Sequence, residues 1–130
     1  MAVFTVAQSK LDALQNNEAF VAFKDQINAF AIFTASNESG TDVAAQNITR
    51  DTYYDCGFTS TINDRLLIVG TSAGATRAQT VLRTNTPDDD IALMIVNTTL
   101  YGGAGGIPTV FSLHASADEI MLRSEEHTFE

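Results

Sequence analysis

Three runs of this sequence, "INAFAIFTAS", "RLLIVG" and "IALMIVN", are apolar at consecutive positions rather than at alternate ones. In the first, Phe30 and Ile32 oppose Ala31 and Phe33, so a strand formed here presents apolar side chains to both faces. Such a strand is stable only inside a sheet covered on both sides. The segments between the runs read as helices. Ala7, Leu11 and Leu14 recur at helical spacing with Gln8, Lys10 and Asp12 between them, which predicts an amphipathic helix over Thr5 to Gln15 with those three on its polar side. Asn16 and Asn17 end it and cap a short second helix, Glu18 to Asp25. "AGATRAQTVLR" follows "RLLIVG" as a helix with Ala78, Val81 and Leu82 on one face. Strands separated by helices imply an α/β layer with mainly parallel pairing. A chain of 130 residues, 45% of them hydrophobic, buries one core, so it forms one domain or part of one.

The remaining segments are polar or rich in glycine. Residues 37–63 are turn-rich with little periodicity and read as one long loop, and "NTPDDD" is an acidic turn. "TTLYGGAGGIP" is too rich in glycine for regular structure, and Pro108 assigns the following "TVFSLH" to an edge strand. Ser116 and Glu119 form a capping box that opens a helix at Ala117. The net charge of −9 comes from 16 acidic and 7 basic residues without a basic cluster, which excludes nucleic-acid binding by phosphate neutralisation. No run approaches the roughly 20 apolar residues that span a bilayer. "MAVFTVAQSK" has neither the charged nor the apolar region of a signal peptide, so an export signal is expected only upstream of it. Cys56, the single cysteine, has no internal disulfide partner and is expected to be a small buried or half-buried residue.

Three stretches have the residue types for chemistry. In "VGTSAG", Gly70, Ser72 and Gly74 fit Gly-x-Ser-x-Gly between a strand and a helix, the setting of a nucleophile elbow, and Asp90 and His114 follow in hydrolase order. The same pattern arises structurally when a Ser or Thr caps the helix, and no glycine-rich oxyanion segment precedes Ser72. "YGGAGG" lets backbone approach a ligand or simply turn; it lacks the Lys-Ser/Thr of a phosphate loop, and Pro108 breaks a dinucleotide fingerprint. The tail "EIMLRSEEHTFE" has Glu and His close together. A zinc-peptidase helix needs His at i and i+4 with Glu at i+1. Counting back from His127, those positions hold Arg123 and Ser124, and a guanidinium cannot ligate a cation.

"INAFAIFTASNESGTD", "TYYDC", "RLLIV", "PDDDIALMIVNTTLYGGAGG" and "TVFSLHASADEI", in that order, resemble the bacterial IgA-peptidase family of zinc metallopeptidases over most of Phe4 to Leu122. The resemblance implies a metzincin-like α/β domain, a layered mixed sheet flanked by helices, here incomplete at both ends. It also implies peptide-bond hydrolysis of a peptide or protein substrate, zinc in the intact parent, and a secreted or cell-envelope location. Neither nucleic acid nor membrane is an expected partner. In that family the helix after the "FS" strand continues into His-Glu-x-Gly-His; Glu119, Ile120 and Leu122 match its approach, and the match then stops. By analogy, Thr109 to His114 would pair as an edge strand with a substrate, with Tyr101, Gly102, Gly103, Gly105, Gly106, Val110, Ser112 and His114 on the substrate side. The "SNESG" turn is either a cleft wall or a solvated turn.

"RSEEHTFE" is also similar to a translated sequencing-library adapter, Arg-Ser-Glu-Glu-His-Thr-Ser-Glu, with Phe129 as the one difference. Residues 1–122 are therefore expected to be a partial catalytic domain and 123–130 a non-native tail. A strand and a turn are expected upstream of Phe4. With no His-Glu-x-x-His motif, the chain itself is expected to bind no zinc and to be inactive. The alternatives are a serine hydrolase acting through Ser72 and a non-catalytic binding module.

Overall fold

The computed structural model describes residues 3–17, 21–89 and 91–118. Its regular elements are helix α1 (Val3–Gln15), strands β1 (Asp42–Val43), β2 (Cys56–Phe58) and β3 (Ile68–Val69), helix α2 (Ser72–Asn85), and strands β4 (Leu93–Val96), β5 (Gly103–Ala104) and β6 (Thr109–Ser112). Short 3-10 turns occupy Val21–Gln26, Ala44–Gln46 and Ala115–Ala117. Asp90 and residues 119–130, which hold Glu119, Ile120, Leu122 and the tail, lie outside the described residues.

The chain is of the α/β class, with two mixed three-stranded sheets. In the first, β1 runs parallel to β2 and β2 antiparallel to β3. The second has the order β4-β6-β5, β4 being parallel to β6 and β5 antiparallel to it. A bridge between Leu66 and Gly103, with the Gly103 N–H donating to the Arg65 carbonyl at 3.0 Å, ties the two sheets together.

The apolar run "IALMIVN" behaves as its two-faced pattern requires. Alternation sends Leu93, Ile95 and Phe111 towards Leu14 of α1, while Met94, Val96 and Val110 pack with Val43, Cys56, Phe58 and Leu67 of the first sheet. The β4–β6 pair is thus covered on both faces, and Phe111 and Leu67 are fully buried. Gly102 permits the closest approach in this core. A Cβ there would overlap the Phe58 ring and stand 2.9 Å from the Arg65 carbonyl oxygen.

Several expectations are corrected. The run "INAFAIFTAS" is not a strand: residues 27–36 carry no β pairing, and Phe30 is 78% exposed and Phe33 56%. A strand exists only through a neighbour, and no described strand lies against this one. "TVFSLH" is not at an edge: β6 is the central strand, flanked on both sides, and Thr109 to Ser112 are all buried. Its second neighbour is β5, formed by the glycine-rich stretch read as irregular. The long loop over 37–63 contains β1 and β2, and Cys56 is buried in β2. The second helix is a 3-10 turn, Val21–Gln26; residues 18–20 lie outside the described residues. A 3-10 turn, Ala115–Ala117, follows β6 with His114 as its cap; the expected helix from Ala117 and the Ser116–Glu119 capping box run into residues 119–130, outside the described residues.

Lys10, expected on the polar side of α1, is buried. Its stem covers apolar surface, its ammonium lies 5.8 Å from the Phe111 ring centre, and Nζ donates to Asp118 at 2.5 Å. This ion pair fastens α1 to the chain beyond β6. Asp118→Ala should therefore cost about 2 kcal/mol in urea unfolding. Asp12→Ala, which removes an exposed bond from Gln8 on the same helix, should stay within about 0.5 kcal/mol.

Candidate functional site

Two regions hold the residues singled out in the sequence. The turn into α2 is built around Asp55, whose left-handed backbone (φ 53°) turns its carbonyl to accept the Gly70 N–H at 2.8 Å. Its carboxylate accepts from the Thr71 hydroxyl at 2.6 Å and from the Arg77 guanidinium at 2.7 Å. Thr71 in turn accepts from the Gly74 N–H at 2.9 Å, so the helix cap is Thr71 and not Ser72. Gly74 is required because a Cβ there would overlap the Tyr54 carbonyl. Each member of Gly70-x-Ser72-x-Gly74 thus stands in a helix-capping turn. Ser72 is exposed, and its hydroxyl has no hydrogen bond to a base among the described residues. The Asp90 of the hydrolase order lies outside the described residues.

The second region is the β5–β6 hairpin and its flanks. β5 docks with Gly103 opposite Phe111 and Ala104 opposite Val110, and the Ser112 N–H donates to the Gly102 carbonyl at 3.1 Å. Tyr101 is half-buried and meets the His114 ring edge-on, with 5.5 Å between centroids. His114 is exposed. Its Nδ1 accepts from the Ser116 N–H at 3.0 Å, which leaves Nε2 as the ring nitrogen facing outward chemistry. Gly105 and Gly106 are exposed, and Gly106 adopts φ 144°, a conformation that side chains resist. Val110 and Ser112, by contrast, are 4% and 0% exposed and point into the core. Tyr101 and His114 are thus in contact at one end of the hairpin, Gly105 and Gly106 are exposed at its turn, Gly103 is half-buried, and Gly102, Val110 and Ser112 are buried.

The "SNESG" turn is cross-linked. Asn37 donates to the Asp51 carboxylate at 2.9 Å, and the Asp51 N–H donates to the Glu38 carboxylate at 2.7 Å. Asn97, at the carboxyl end of β4, donates to the Ser39 hydroxyl at 3.1 Å. Asn97 was not legible as a contact residue, since its partner is distant in sequence. Burial, with Asp55 nearby as a lesser cause, pushes the Cys56 thiol up to about 12, so it stays protonated and unreactive at neutral pH. No three His, Cys, Asp or Glu side chains converge on a point that could hold a metal among the described residues.

The hydrogen bond from Thr71, reinforced by Arg77 and opposed by partial burial, holds the Asp55 carboxyl below its usual range. A depressed pKa stabilises the fold above the unfolded value of about 3.9 and loses that contribution as pH falls through the folded one. Unfolding midpoints from about pH 5 down to about pH 2 should fall less steeply for Asp55→Asn than for the parent. Thr71→Ala should cost about 1 kcal/mol and Ser72→Ala less than about 0.5 kcal/mol, measured by urea unfolding.

Among curated proteins none matches the chain. The family model described as IgA Peptidase M64 matches residues 1–121, a span that includes both sheets, both helices and the glycine-rich hairpin. The chain belongs to this peptidase family.

Proposed function

We propose that residues 1–122 form the substrate-side part of a zinc-dependent peptidase domain. The metal and the general base would come from parent sequence that does not stand at 123–130. One observation carries this reading. The family match runs to residue 121, and the positions where the resemblance expects His and Glu hold Arg123 and Ser124. Bound zinc would supply a Lewis acid to a peptide carbonyl and acidify a water. The described residues do not fit that role, having no converging ligand set, so the work left to them is binding and orientation.

In this reading the binding edge is β5 rather than β6. Both sides of β6 are already paired, and at Gly103 the outer side of β5 is occupied by Arg65 and Leu66. Past that bridge, Ala104 and Gly105 make no outward backbone hydrogen bond among the described residues. An extended substrate would pair there, with Tyr101, Gly106 and His114 alongside it. Val110 and Ser112 act from below, by holding β5 in register. The Ser72 reading has no geometric support, because its turn is accounted for by the Thr71 cap.

The test uses the 130-residue chain as it stands. After equilibration with zinc and desalting it should retain far less than stoichiometric metal and leave fluorescent casein intact. Stoichiometric retention with zinc-dependent hydrolysis overturns the reading. Sequencing the parent gene across codon 123 checks the tail: a genomic "RSEEHT" continuing from Leu122 removes the adapter origin.

A further inference from the structure

The sequence contains three Asn-x-Ser/Thr triplets, Asn37-Glu38-Ser39, Asn47-Ile48-Thr49 and Asn97-Thr98-Thr99. Such a triplet is an acceptor for an asparagine-linked glycan when its amide nitrogen and the hydroxyl two residues on can both reach a transferase. All three asparagines are exposed, so exposure alone does not choose between them. Their hydrogen bonds do. The Asn37 amide donates to the Asp51 carboxylate at 2.9 Å, and the Glu38 N–H beside it donates to the Asp51 carbonyl at 3.0 Å. The Asn97 amide donates at 3.1 Å to the Ser39 hydroxyl, the third member of the first triplet. Thr98 is fixed from both sides, its N–H donating to the Val96 carbonyl at 2.8 Å and its carbonyl accepting from the Leu113 N–H at 2.9 Å. Bringing either amide nitrogen into a transferase site breaks the bond it already makes.

Asn47 differs. It closes the turn over residues 44–47, which is held by Val43 and Ile48 exchanging backbone hydrogen bonds at 2.9 and 3.1 Å. Ile48 packs against the core beside Val43 and Cys56, and the residues on either side of it, Asn47 and Thr49, are exposed. The Asn47 backbone is left-handed (φ 54°), which Asn tolerates better than most residues, and its N–H donates to the Ala44 carbonyl at 3.1 Å. Neither its side-chain amide nor the Thr49 hydroxyl has a hydrogen-bond partner among the described residues. The turn lies on the outer edge of the first sheet, where β1 has β2 as its strand neighbour, so a bulky glycan at an exposed Asn47 is accommodated in solvent.

We propose that Asn47 is a glycosylation site, the acceptor for an oligosaccharide donated from a lipid pyrophosphate, and that the fold withholds Asn37 and Asn97 from the same reaction. In the transfer, Nδ2 of Asn47 bonds to the anomeric carbon of the donor sugar. The bond from that carbon to the pyrophosphate oxygen breaks, its electron pair leaves with the lipid pyrophosphate, and one amide proton passes to a base on the transferase. The Thr49 hydroxyl, two residues on, completes the recognised triplet. Nothing in this inference depends on the peptidase reading.

The test incubates the folded 130-residue chain with a purified single-subunit oligosaccharyltransferase that requires only Asn-x-Ser/Thr, and with a dolichyl-pyrophosphate oligosaccharide as donor. The free peptide Ala-Gln-Asn-Ile-Thr-Arg serves as the control acceptor. Mass spectrometry should find a glycan at Asn47, formed at least about fivefold faster than at Asn37 or Asn97. Asn47→Asp, which keeps a residue that tolerates the left-handed turn, and Thr49→Val should each abolish it, while Thr49→Ser should retain it. Asp51→Ala should speed modification of Asn37, and Ser39→Ala that of Asn97, about fivefold each by freeing the amide. A chain left unmodified while the control peptide is glycosylated overturns the proposal. So does a glycan that forms at Asn37 or Asn97 as fast as at Asn47, since the fold would then not be selecting the site.

Discussion

Four residues of β4 lie in parallel register with four of β6, Leu93 beside Thr109 through Val96 beside Ser112, and the other layers pack on the two faces of that ladder. α1 covers the face of Leu93, Ile95 and Phe111, and the first sheet covers that of Met94, Val96 and Val110. Both cores therefore depend on one alternation of side chains. A slip of one residue would exchange the two faces and leave Leu14 and Phe58 opposite the wrong partners. The Lys10–Asp118 pair and the Leu66–Gly103 bridge fix the layers at positions remote from the ladder itself.

The two edges of that sheet are managed differently. On the β6 side, a two-residue strand of glycine and alanine closes the ladder, and the absence of side chains at Gly102 lets it lie against Phe58 and Arg65. Beside this closed edge Tyr101 is half-buried against the exposed His114 ring, and Gly105 and Gly106 are exposed at the hairpin turn. On the β4 side no described residue pairs with the edge, and the apolar run 27–36 carries no β pairing and exposes Phe30 and Phe33. Open edges beside exposed apolar residues attract other strands, wanted or not.

The candidate site was legible where chemistry is local and illegible where it depends on pairing. "YGGAGG" announced close backbone approach, and Gly102 meets it, yet glycine content concealed that the stretch forms β5. Val110 and Ser112 fall on the substrate side only by analogy with the family, for an edge strand that Pro108 also suggested. The proline precedes the strand, so it costs β6 no ladder bond, and β6 sits in the centre. "VGTSAG" showed its strand-turn-helix setting correctly, but only the side-chain geometry distinguishes the Thr71 cap from a nucleophile at Ser72.

The sequence by itself determined helices α1 and α2, the α/β class and the two-faced character of "IALMIVN", because helical spacing and continuous apolarity act over a few neighbouring residues. It also carried the family resemblance. Tertiary structure decided which apolar runs became strands, which strand took the centre, and that Lys10 is buried. Those outcomes depend on partners distant in sequence. A strand needs a neighbour to accept its backbone hydrogen bonds, and a buried ammonium needs a carboxylate such as Asp118, 108 positions away.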